Sequence, residues 1–132
     1  MNQAAYVLRV APGGEDKVPE ALRADQIIIG WAEAEGLRDL NLSWEQFREI
    51  LRDAYYSEEP TLRKAGAAAG HMWRFIRDMK PDDYVVVPYG ADFFVAEITG
   101  PATYDPSKVE EDSAYRRSVR WLNEKRPISR QL

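Results

Sequence analysis

Large aromatic side chains recur beside arginines along this chain. Trp31 follows Gly30, Trp73-Arg74-Phe75 form a run, Tyr89 and Tyr104 stand apart, and Tyr115-Arg116-Arg117 lead to Trp121. These residue types suit recognition of a single nucleobase, which needs rings to stack on, polar groups for its edge and cations for the flanking phosphates. Taken one at a time, each aromatic is better explained by core packing. The joint pattern points to a nucleic acid.

The charge distribution bears on the same question. Eighteen basic against 22 acidic residues give the 132-residue chain a net charge of −4. Residues 63–80 (Arg63, Lys64, Arg74, Arg77, Lys80 against Asp78) nevertheless carry +4. Residues 115–132 (Arg116, Arg117, Arg120, Lys125, Arg126, Arg130 against Glu124) carry +5, which leaves −13 for the rest. Local fields rather than the total attract a polyanion, so two basic segments lying side by side would bind phosphates in an otherwise acidic protein. A solvated charged face is the plain alternative.

Catalytic arrangements fare poorly. With no cysteine there is no zinc–thiolate site and no thiol nucleophile, and the single histidine, His71, cannot build a multi-histidine cage. His71 reads as a surface or packing residue. A Mg²⁺-dependent nuclease would draw on Asp83 or Asp92 with Glu97, but Ile98-Thr99 follow Glu97 where a lysine would be wanted. Gly13-Gly14 is a bare doublet, not a phosphate loop. The expectation is a domain with no catalytic residues, no metal and no cofactor.

The elements that must position these residues follow from periodicity and turn chemistry. At 132 residues, one domain spanning 1–132 can bury a real core. A strand at 6–10 precedes the Pro12-Gly13-Gly14 turn and a short helix at 18–22. Ile27-Ile28-Ile29 read as a buried strand ended by Gly30. Ser43 with Gln46 forms a capping-box pattern ahead of Trp44, Phe47, Ile50, Leu51 and Ala54 at helical spacing. A second helix is expected over 61–79, stopped by Pro81, with Leu62, Ala65, Ala69, Met72, Ile76 and Met79 on its apolar stripe. Its opposite stripe carries Arg63, Ala67, Gly70, Arg74 and Arg77, with Trp73 at the boundary. The run from Gly66 to Gly70 reads first as tight helix packing. Strands follow at 84–87, 93–99 (broken by Gly100-Pro101) and 115–122, the last placing Tyr115, Arg117, Val119 and Trp121 on one face. Glu110 to Asp112 read as an exposed acidic loop. Helices precede strands instead of alternating with them, which favours a small, mainly antiparallel sheet or barrel over a doubly wound fold. The start lacks a signal-peptide pattern and no apolar run is long enough to span a bilayer, so a cytoplasmic protein without membrane partners is expected.

The succession IIIGW, WRFIRDMKPDDYVVVP, FFVAEITGPATYDP and YRRSVRWL resembles the N-terminal module of Mrr-type restriction proteins, itself similar to EVE and wider PUA-like barrels. Asp82-Asp83 stand where that pattern usually has Gly-Asp. The resemblance covers 6–128 and implies an α+β fold: a small PUA-like (EVE-like), mainly antiparallel β-barrel flanked by helices. It also implies a noncatalytic DNA-binding module that reads a modified base, flipped into an aromatic pocket, in a restriction or defence system, with a separate nuclease domain or subunit as partner. By position it implies Gly30, Trp31, Trp73, Phe75, Tyr104, Arg117 and Trp121 at the base, with Arg74, Arg77, Arg116 and Arg120 on phosphates. The rival readings are an RNA reader, a protein-interaction module whose aromatics are core, and the metal-dependent nuclease.

Overall fold

The computed structural model describes residues 3–130. Its elements are β1 (Ala5–Val7), α1 (Val18–Ala24), β2 (Gln26–Ile29), α2 (Trp44–Tyr55), α3 (Arg63–Trp73), β3 (Tyr84–Tyr89), β4 (Asp92–Tyr104), β5 (Tyr115–Trp121) and β6 (Ile128–Ser129). The strands form one sheet in the order β1-β3-β4-β5-β2, with β6 added beside the start of β4. β1 lies parallel to β3, and the other pairings are antiparallel.

The chain is thus α+β with a mixed sheet, but the expected barrel is not closed. Among the described residues, β1 and β2 are the two ends of the strand order and do not pair with each other. β1 has only three paired residues, Ala5 to Val7, and the chain then leaves the sheet for the turn at Pro12–Gly14.

Ser43 caps α2 as its sequence predicts. The Gln46 N–H donates to Ser43 Oγ at 3.2 Å, and the Ser43 N–H donates back to Gln46 Oε1 at 2.7 Å. α2 packs on α3. Gly66 faces the Trp44 ring across this contact, and a Cβ there would stand at an ordinary 3.8 Å from it, so the approach does not depend on glycine.

Two irregularities replace the regular elements expected. α3 runs into a π turn at Arg74–Asp78, closed by the Met79 N–H on the Arg74 carbonyl at 2.9 Å. The wider turn rotates the following side chains, so that Phe75 is fully buried while Ile76 is only partly so. β4 passes straight through Gly100-Pro101, absorbing them as a register shift between Ile98 and Ala102 instead of ending there.

The core gathers Ile27, Ile28, Phe47, Leu51, Met72, Phe75, Val85, Val87, Ile98 and Tyr115, drawing on α2, α3 with the π turn, and the sheet. On β5 the alternation holds, with Tyr115, Arg117, Val119 and Trp121 inward and Ser118 and Arg120 outward. Arg116 departs from it, buried against α1 through Glu20 Oε2 at 2.6 Å and the Ser113 carbonyl at 2.8 Å.

Candidate functional site

Although β1 and β2 are the outermost strands, the last residue of each and the residues that follow it line one cavity. Val7, Leu8 and Arg9 form one side, and Ile29, Gly30 and Trp31 the other. Pro12 and Gly13, Tyr55 from the end of α2, His71 and Arg74 from α3 and the π turn, and Asp112 complete the lining. The sheet must curl strongly for this to happen. The cavity volume is about 400 Å³, within the range of small-ligand sites.

Trp31 is fixed from several directions. Its backbone has φ of 60°, in the left-handed region, immediately after β2. Its indole N–H donates to Tyr56 Oη at 3.0 Å, and its ring stacks with His71 at 5.7 Å between centroids and 13° between planes. Arg74 Nη1 approaches His71 Nδ1 at 3.5 Å, so the guanidinium lies beside the stacked imidazole.

Asp112 is the acceptor of the cavity. Its Oδ1 accepts from the Ala32 N–H at 2.9 Å and from the Tyr55 hydroxyl at 3.4 Å. Tyr55 Oη in turn accepts from the Glu33 N–H at 2.8 Å. Burial, together with the charges of Asp112 and Glu33, pushes the Tyr55 phenol up to about 12, so it is a neutral donor at physiological pH. Gly30 is required here for space, because a Cβ would stand 2.8 Å from Asp112 Oδ2.

Of the residues expected at a base, Gly30 and Trp31 line the cavity, as does Arg74 from the expected phosphate set. The others lie elsewhere. Trp73 meets the Phe47 ring edge-on at 4.9 Å and carries Arg77 over its face at 4.5 Å. Phe75 and Trp121 are core residues, and the Trp121 N–H is spent on the Ala21 carbonyl at 3.1 Å. Tyr104 donates to the Ala32 carbonyl at 2.9 Å and borders a different groove with Leu40, Ile76 and Pro101. Burial, reinforced by Glu35 and Glu33, raises its phenol.

The two basic segments do not merge into one phosphate surface. Arg117 is internal, donating to the carbonyls of Gly100, Phe75 and Met79. Arg116 pairs with Glu20, Arg120 with Glu97, Lys80 with Asp83 and Lys125 with Asp25. Arg77 Nη2 holds the Asp39 and Leu42 carbonyls at 2.9 Å each. At the cavity, Arg9 and Arg74 remain exposed with no carboxylate partner among the described residues.

The carboxylates proposed for a nuclease are likewise engaged or apart. Asp83 is fully buried and accepts from the Ala4 and Lys80 N–H groups, and Glu97 holds Arg120 across the strands. Among the described residues, no cluster of three or more His, Asp or Glu could hold a metal, and no helix is long and apolar enough to cross a membrane.

Of the thirteen residues that line the cavity, the sequence marks only Gly30, Trp31 and Arg74 as site candidates. In the sequence His71 reads as a surface or packing residue, Asp112 as part of an exposed acidic loop and Gly13 as a turn, and Tyr55 and Arg9 carry no signal. Fold and site together define a small α+β domain whose curled mixed sheet opens a cavity of aromatic, cationic and carboxylate character between its two outer strands. The chain belongs to the family of the domain of unknown function DUF8426, whose model matches residues 8–131. No curated protein and no solved structure matches the chain.

Proposed function

We propose that this domain is a noncatalytic nucleic-acid-binding module of PUA-like character that takes one flipped DNA base, modified bases included, into the Trp31 cavity. The observation that carries this reading is Trp31 itself: an indole locked in an unfavourable backbone conformation at the wall of a nucleobase-sized space. Arg9 and Arg74 at the same cavity suit the phosphates on either side of an extruded base. Extrusion costs a few kcal/mol, and a base–aromatic stack returns about 1–3, so phosphate contacts and the base edge must supply the remainder. In a restriction setting such a module would direct a separate nuclease subunit to its target.

The test is a fluorescence-anisotropy titration at fixed salt with duplex DNA carrying one central 5-methylcytosine, the same duplex unmodified, and single-stranded RNA of that sequence. The modified duplex is expected to bind best, and Trp31→Ala to weaken it about tenfold without unfolding the domain. With two free cations at the cavity, the salt slope should correspond to about two phosphates. Preference for the RNA would reassign the partner, and absence of binding to all three probes at low salt would overturn the reading in favour of a protein-interaction role.

A further inference from the structure

Asp112 uses only half of its carboxylate. Oδ1 is committed to the Ala32 N–H and the Tyr55 hydroxyl, whereas Oδ2 has no donor within reach among the described residues. Oδ2 sits in a notch between two glycines: a Cβ on Gly30 would lie 2.8 Å from it and one on Gly13 3.5 Å. All three residues line the cavity. An acceptor held at such a wall favours an occupant that brings a donor, because a partly desolvated carboxylate oxygen gains most from a hydrogen bond.

The charges around it narrow the choice. Arg9 and Arg74 line the same cavity and disfavour an ammonium or guanidinium ligand. Beside Trp31 and His71, the donor that fits is a neutral amine on a flat ring. We infer that Asp112 is the specificity-determining residue of the cavity, with Oδ2 accepting a hydrogen bond from the exocyclic amine of an amino-bearing base, cytosine, adenine or guanine. Uracil and thymine turn carbonyl oxygens toward the same carboxylate on both sides of their ring N–H and are rejected by repulsion. This inference rests on the base-pocket reading above.

The experiment uses two single-stranded DNA oligonucleotides identical except for one central deoxycytidine or deoxyuridine, with the remaining positions abasic. Wild-type protein is expected to prefer the deoxycytidine probe by about tenfold, within the discrimination that one specific base-edge contact supplies. Asp112→Asn keeps the Oδ1 acceptor for Ala32 and the size that the Gly30 notch requires, but it places an amide donor at Oδ2. It should remove or reverse the preference with thermal unfolding unchanged. Equal binding of both probes by wild type, weakened about tenfold by Trp31→Ala, would overturn the role of Asp112 and leave the pocket standing. Failure of both probes to bind would overturn both.

Discussion

Arg117 forks onto the Gly100 carbonyl, with Nε at 3.1 Å and Nη2 at 2.8 Å, at the irregular stretch of β4. Its remaining nitrogen, Nη1, donates to the Phe75 and Met79 carbonyls at 2.9 and 2.8 Å, around the π turn. One guanidinium therefore satisfies both places where the chain departs from regular geometry. Removing it would strand three inward carbonyls, each costing about 1–3 kcal/mol. Arg117→Met is expected to lower unfolding free energy by on the order of 3 kcal/mol in urea titration. Arg117→Lys should recover only part of this, since a point-charge ammonium cannot reproduce the fork.

Gly30→Ala should separate folding from recognition. The added methyl would collide with Asp112 Oδ2, which cannot swing away without loosening the Ala32 contact on Oδ1. A stability loss of about 1 kcal/mol is expected, as for mild overpacking. Affinity for the deoxycytidine probe should fall to the level of the deoxyuridine probe. Unchanged discrimination would show that the notch is not part of recognition.

Asp83 gives the acid limb of the stability profile. Burial alone would raise its carboxyl, but hydrogen bonds from the Ala4 N–H and from Lys80 outweigh that and hold it below the ordinary value. A folded-state value below the unfolded one means stability that is fully present above the unfolded value of about 4 and lost as pH falls through the folded one. Asp83→Asn is expected to be less stable at neutral pH and to show a flatter loss below pH of about 4 in acid-unfolding curves.

Tyr115 shares the alkaline limb with Tyr55 and Tyr104, whose phenols are also raised. Burial pushes its phenol up, with the Leu37 N–H opposing and Tyr104 adding to the shift, and its hydroxyl donates to the Ala34 carbonyl. Because the folded value lies above the unfolded one, stability is complete below pH of about 10 and declines as pH rises beyond it. Tyr115→Phe should cost stability at neutral pH and flatten the alkaline decline, read as urea midpoints across the range.

Local chemistry made much of the fold readable. The Ser43–Gln46 cap, the apolar run at Ile27-Ile28-Ile29 and the period-two pattern of β5 each depend on neighbours close in sequence, and each appears in the structure. The π turn and the register shift at Gly100-Pro101 were not readable. What stabilises them is the side chain of Arg117, supplied from another strand. The same limit applies to the site. Trp31 could be picked out because Gly30-Trp31 marks a strand end, whereas Asp112 matters only because folding carries it 80 residues back to Ala32. Arg116 and Arg117 illustrate the converse, since charge in a sequence window says nothing about whether Glu20 or a ring of carbonyls will consume it.

The cavity lies between the strands that stand farthest apart in hydrogen-bonding order, four pairings away from each other. Its calibre is therefore an accumulated property: a few degrees of extra coiling at any single ladder would be summed before reaching the mouth. Substitutions deep in the central strands, remote from any ligand, become a natural means of tuning which rings are admitted.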